Sequence, residues 1–150
     1  MAGYSGTPLP KKLGMKPGYR VLLWNAPKDF VKLLAPASAD MSITRQTTGV
    51  EVFDIVMLFA AGRADLEKSF RTLAKRLSPA GGLWVAWPKK ASGVATDLTE
   101  DIVREIGLQT ELVDNKVCAI DEVWSGLRFV IRLRDRPKLK NRKHESRDQK

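Results

Sequence analysis

Residues 83–106 read LWVAWPKKASGVATDLTEDIVREI. The run Leu83–Trp87 is apolar and short enough to be a buried strand. Pro88 has no N–H to give a sheet ladder and marks its end. Two lysines and a loop of mostly small residues follow, and then the signals of a helix start. Asp97 with Glu100 three residues on makes a capping-box variant, and Thr99 between Leu98 and Val103 fits a hydrophobic staple. The helix is predicted to begin between Asp97 and Glu100, to turn Ile102, Val103 and Ile106 inward, and to end at Gly107. A strand that feeds a loop and then a helix N-terminus is how open α/β sheets build ligand sites.

Working outward, the same alternation recurs. Upstream, Leu66, Phe70, Leu73, Ala74 and Leu77 share one helical face. Asp65 and Glu67 at its start and Lys75 and Arg76 at its end suit the helix dipole. Ser78-Pro79-Ala80-Gly81-Gly82 reads as the stop that turns the chain into the Leu83 strand. Phe53–Ala60 is almost unbroken apolar, the pattern of a strand covered on both faces. Met41–Thr47 is a weaker strand. Arg20–Trp24 is the first core strand, ended by Asn25-Ala26-Pro27. Proline suits the first helical position, and Phe30, Leu33 and Leu34 give the following helix an apolar stripe before Pro36. Residues 1–18 form a Gly/Pro-rich arm with one helical turn at Leu9–Leu13 and a turn at Lys16-Pro17-Gly18.

Downstream, Lys116–Ile120 is a strand. Leu127, Phe129, Ile131 and Leu133 alternate with Arg128, Val130 and Arg132, a strand with one wetter face. Asp121–Gly126 joins the two as a hairpin. Strands alternating with helices imply a mostly parallel sheet, here closed by an antiparallel pair. One domain, residues 19–133, is expected.

Charge is unevenly spread over the 150 residues. The segment RDRPKLKNRKHESRDQK, residues 134–150, holds eight of the 26 Lys/Arg and three of the 17 Asp/Glu. Its one aliphatic residue is Leu139, so it is predicted to be a disordered basic tail. Such a tail attracts nucleic acid or another polyanion, or merely solubilises the chain end. No apolar run approaches the roughly 20 residues a membrane helix needs. Residues 1–15 do not read as a secretory signal. Cys118 is the lone cysteine, which excludes an internal disulfide and a cysteine-rich zinc site. A cytoplasmic protein is expected.

Lys89, Lys90, Ser92, Gly93, Thr96 and Asp97 form the leading candidate site. Two cations beside a helix N-terminus suit a phosphate or carboxylate, because free backbone N–H groups and the dipole favour anions there. The structural alternative is a surface loop whose Thr and Asp only cap a helix. Asp121, Glu122 and Trp124, with Ser125, are a second candidate, for a cation or a sugar edge; the alternative is that Asp121 and Ser125 shape the hairpin while Trp124 packs over a sheet edge. Trp24, Trp84 and Trp87 fall at strand positions and are read as packing. The one histidine, His144, lies in the tail. A Ser-His-Asp or Cys-His mechanism therefore has no base in the folded part, and no metal site is predicted. Cys118 is read as a small buried hydrophobe.

Phe53-Asp54-Ile55-Val56 resembles the fourth strand of class I S-adenosylmethionine-dependent methyltransferases. Leu77-Ser78-Pro79-Ala80-Gly81-Gly82-Leu83 resembles the Leu-x-Pro-Gly-Gly approach to their fifth strand, and the terminal antiparallel hairpin is also their hallmark. The string WPKKASGVATDLTEDIVRE, with KVCAIDEVWSGLRFVIR after it and GYSGTPL-x-KKLG before, is similar to a family of small bacterial proteins catalogued as a domain of unknown function. These resemblances imply a Rossmann-like three-layer sandwich and a bacterial origin. In the methyltransferases the first strand leads into a Gly-rich cofactor loop. Here that turn is Trp24-Asn25-Ala26-Pro27, and no acid stands near Arg45–Thr47 to grip a ribose; Glu51 lies beyond. No cofactor is therefore expected. The function expected is a non-catalytic binding protein with an anionic ligand at the Lys89–Asp97 loop. The rivals are a divergent methyltransferase or an enzyme using Lys89 or Lys90, and a nucleic-acid-associated protein using residues 134–150.

Overall fold

A computed structural model describes residues 7–47 and 50–136. Six strands form one sheet in the order β2-β1-β3-β4-β6-β5. They are β1 Arg20–Trp24, β2 Ser42–Thr44, β3 Phe53–Phe59, β4 Leu77–Pro88, β5 Leu112–Ala119 and β6 Trp124–Ile131. The pairs β1–β2, β1–β3 and β3–β4 are parallel, while β4–β6 and β5–β6 are antiparallel. This is the predicted α/β sheet, mostly parallel with a closing antiparallel hairpin. From β1 the chain goes to one side for β2 and returns to the other for β3. The carboxyl ends of β1 and β3 therefore flank a topological switch point, where ligands of open α/β sheets bind.

The two faces of the sheet are covered differently. On one face lie α2 Arg63–Ala74 and α3 Glu100–Leu108. Leu66, Phe70 and Leu73 of α2 and Val103 and Ile106 of α3 pack on Val56, Leu58, Leu83, Val85, Leu127 and Phe129. The other face is covered by the short α1 Leu9–Lys12 and two 3-10 turns, Phe30–Leu34 and Ala37–Asp40. There Leu13, Met15, Phe30 and Leu34 meet Val21, Leu23, Ile55, Met57 and Trp84. Trp84 is fully buried and donates its indole N–H to the carbonyl of Leu13 at 3.0 Å, tying the N-terminal segment to the sheet. Trp87 is buried and Trp24 half-buried, packing roles as expected.

Several boundaries depart from the sequence reading. The helix expected after Pro27 is a 3-10 turn, and Leu33 is exposed while Phe30 and Leu34 are buried. Ser78–Gly82 does not stop the chain: β4 begins at Leu77, and its pairing with β3 jumps from Phe53↔Leu77 to Ile55↔Gly82. The Pro/Gly signals mark a bulge rather than a turn. Gly107 lies inside α3, which runs to Leu108, and a Cβ there would collide with the ring of Phe129. β5 starts earlier than predicted and ends at Ala119, and β6 begins at Trp124 rather than Leu127, so the connection between them is shorter than the predicted Asp121–Gly126. Of the tail, Arg134, Asp135 and Arg136 follow β6, with a 3-10 turn at Leu133–Asp135. Residues 137–150, on which that expectation mainly rests, lie outside the described residues. Among the described residues no helix is long and apolar enough to cross a membrane.

Candidate functional site

At the switch point, β1 ends at Trp24 and Asn25 takes a left-handed backbone with φ +58. Asn tolerates that region better than most residues. No glycine-lined cradle follows: Pro27 carries no N–H, and its carbonyl accepts from Phe30 N at 3.0 Å to start the 3-10 turn. Phe30 packs edge-on against Phe59 at the end of β3, and Phe59 against Trp124, with centroid distances of 4.9 and 5.1 Å. An aromatic cluster thus fills one flank of the carboxyl edge. The residue after β2 is Arg45, not an acid. Glu51 accepts from Arg20 Nη2 at 3.0 Å, at the amino end of β1, so it stands at the wrong end of the sheet to meet a ligand at the switch point.

The other flank is closed by the predicted site loop itself. Thr96 donates its hydroxyl to the carbonyl of Ala61 at 2.6 Å and accepts from Leu98 N. Asp97 accepts from Arg63 N at 2.7 Å, in the first turn of α2. The reading of Asp97 as a cap of the following helix is therefore corrected. It caps α2, 34 residues back in sequence, and Thr99 is the N-cap of α3, accepting from Ile102 N at 3.2 Å. The carboxylate of Asp97 supplies from within the chain the negative charge that an N-terminal first turn attracts.

The leading candidates are brought together only in part. After β4, Lys90–Ser92 make one 3-10 turn ended by Gly93 at φ +80, a conformation that favours glycine. Ser92 donates to the carbonyl of Lys89 at 2.6 Å and accepts from Val94 N. Ser92, Thr96 and Asp97 are thus occupied in shaping the loop and strapping it to Ala61–Arg63. Lys89 and Lys90 instead border a cleft of about 500 Å³, lined also by Trp87, Pro88, Leu98, Thr99, Glu100, Asp101 and Ser125. Its apolar floor is Trp87 and Leu98, both buried.

Electrostatics in the cleft are mixed. Arg104 of α3 bonds Glu100 at 2.7 Å, Asp101 at 3.3 Å and Asp114 of β5 at 2.9 Å. The bonds to Glu100 first, and then Asp114, hold its guanidinium pKa above the ordinary arginine range. They also partly neutralise the acids beside the two lysines. Among the described residues, the ammonium groups of Lys89 and Lys90 enter no hydrogen bond or ion pair.

The second candidate set separates. Asp121 accepts from Val123 N and Trp124 N, both at 2.8 Å, which folds the hairpin loop. Trp124 belongs to the aromatic cluster, Glu122 is exposed, and Ser125 reaches the cleft. Cys118 is half-buried, and burial pushes its thiol pKa up against the opposing pull of Lys12 and Lys116. The cleft contributions of Thr99 and Ser125 were missed by sequence reasoning. The register of β4 against β6, which pairs Trp87 with Ser125, is the signal that would have found the second of them.

No family model matches this chain, and no curated protein sequence matches it significantly. Solved structures do resemble it. An S-adenosylmethionine-dependent methyltransferase from Aquifex aeolicus superposes with a TM-score of 0.57 at 14% identity, over 81% of this chain and 87% of that one. An O-methyltransferase of neocarzinostatin biosynthesis, solved with S-adenosylmethionine and 2-hydroxy-5-methyl naphthoic acid, gives 0.58 at 12% identity, over 87% of this chain and 51% of that one. A Pyrococcus horikoshii protein gives 0.52 at 8% identity, over 83% and 86%. At these identities the likeness is one of fold. The chain has a methyltransferase-like, Rossmann-like architecture.

Proposed function

We propose that this chain is a non-catalytic binding protein on a methyltransferase-like frame, with a small anionic ligand in the cleft beside Lys89 and Lys90. The observation that carries the reading is the contrast in partners within that cleft. The carboxylates near it are engaged by Arg104, while the two ammonium groups are left over. The approach to the usual cofactor position supports the non-catalytic part. Asn25-Ala26-Pro27 leads into a 3-10 turn where an adenosyl cofactor would need close backbone approach and free N–H donors.

The test is a thermal-shift series with inorganic phosphate and with a nucleotide. A ligand that binds only the native state raises stability with the logarithm of its concentration above Kd. The Lys89→Gln/Lys90→Gln variant is expected to keep its unliganded stability within ~0.5 kcal/mol, as surface changes usually do, and to lose most of the anion-induced shift. An unchanged shift in that variant removes the cleft as the site. A second reading, association with nucleic acid through the basic residues 134–150, is favoured by the cations gathered where that segment leaves the sheet.

A further inference from the structure

The α1 side of the sheet gathers positive charge at its β5–β6 end. Lys116 of β5 stands directly opposite Arg128 of β6. Like charges opposite one another across strands are destabilising, so a pair of this kind costs the fold something. Arg128 lies across Gly82 of β4, where a Cβ would collide with its guanidinium. Its Nε is buried without a hydrogen-bond partner. Burial first, and then the nearby charge of Arg136, lowers its pKa. Arg136 is held beside the pair by its Nε–H donating to the carbonyl of Ile131 at 2.9 Å. Lys116 in turn donates to the carbonyl of Lys12 at 2.9 Å, bringing another basic residue alongside.

Asp135, the carboxylate next to Arg136 in sequence, lies 3.9 Å from Arg134. Asp114, the nearest carboxylate along β5, pairs with Phe129 on the helix-covered face and is taken up by Arg104. Among the described residues, none of Lys116, Arg128 and Arg136 is in an ion pair. We propose that the Lys116–Arg128–Arg136 row is a phosphate-binding surface for single-stranded nucleic acid, extending onto the folded domain the nucleic-acid reading of residues 134–150 on which it rests.

Three features favour this partner. Arginine forks suit phosphate oxygens. The sequence continues past Arg136 with six more Lys/Arg against two Asp/Glu, so the positive charge runs on along the chain and matches a long polyanion. The large exposed apolar side chain on this hairpin, Val117, pairs with Leu127 on the opposite face. Beside the row, among the described residues, Leu133 is the large apolar side chain left exposed, just past the end of β6; one leucine is far less than the broad apolar face that amphipathic membrane binders present.

The test is fluorescence anisotropy of a labelled single-stranded RNA with the full chain across a salt series. Lys116→Gln and Arg136→Gln are each expected to weaken binding about three- to ten-fold and to flatten the salt slope by about 0.7, as loss of one phosphate contact does. Lys116→Arg should restore it. Lys68→Gln, an exposed charge on α2 of the other face, should leave both readings unchanged. If Arg142→Gln/Lys143→Gln weakens binding while Lys116→Gln and Arg136→Gln do not, the row is overturned and the tail reading stands. If Lys68→Gln weakens it equally, only diffuse charge is at work and the row is overturned. Absence of RNA binding overturns both, and tighter binding to phosphatidylserine vesicles than to RNA, with the same variant dependence, overturns the choice of partner.

Discussion

Two strand-to-helix crossings at the carboxyl edge of this sheet have opposite characters. After β1 the chain enters Asn25-Ala26-Pro27 and a 3-10 turn, and aromatic rings fill the adjoining space. After β4 it makes a looser excursion, sends Thr96 and Asp97 back onto the start of α2, and only then begins α3 over an open cleft. The first crossing is where a dinucleotide-type ligand would be cradled in an open α/β sheet, and here it is built for packing. The second is where unpaired cations meet a cavity. The same sheet edge thus holds one crossing packed by aromatic rings and one that opens onto a cleft.

The largest expected effect comes from breaking the second crossing at its anchor. Gly107 lets α3 approach Phe129, whose ring packs edge-on against Phe70 at 5.1 Å. Gly107→Val should cost ~3 kcal/mol, the upper end of overpacking penalties, read as a lower midpoint in urea unfolding. A cost under about 0.5 kcal/mol, the range of ordinary surface changes, would mean that α3 does not dock there.

The first crossing can be broken at Asn25. Asn25→Val places a β-branched residue at a positive φ and should lower stability by ~1–2 kcal/mol. Asn25→Gly should not, and equal losses in the two variants would put the strain elsewhere.

Smaller effects separate the two caps. Asp97→Ala and Thr99→Ala should each cost ~1 kcal/mol. Hydrogen exchange tells them apart: losing Asp97 should speed exchange in the first turn of α2, and losing Thr99 in that of α3. Faster exchange at Ile102 in the Asp97 variant would return Asp97 to the α3 cap.

What the sequence made legible follows from how local each cause is. The Leu66/Phe70/Leu73/Ala74 stripe and the apolar β3 run are repeated local patterns, and both elements form; the helix stops at Ala74, however, so Leu77, read as its last inward residue, is instead the first residue of β4. The alternation read over residues 127–133 holds as far as Ile131, dividing β6 into a helix-covered side and one that carries Arg128, but Leu133, read as inward, lies past the strand in a 3-10 turn and is exposed. The misreadings have tertiary causes. Gly107 is small because of a ring on another element, not because a helix ends there. Ser78–Gly82 holds turn-forming residues, yet the partner strand draws it into a bulged continuation. Asp97 sits one residue pattern away from a capping box, and its actual acceptor role reaches a helix far back in the chain. Of the candidate site, the two lysines were legible as cations beside a helix start. A capping role for the loop's Thr and Asp was legible as the alternative; that Thr96 and Asp97 reach back to Ala61 and Arg63 was not.

The central claim of the proposed reading is that the crossing after β1 does not bind S-adenosylmethionine. Calorimetric titration of the full chain with S-adenosylmethionine tests it directly. The account predicts no saturable heat at micromolar concentrations; a Kd below about 10 μM, or roughly −7 kcal/mol on the affinity scale, would contradict it.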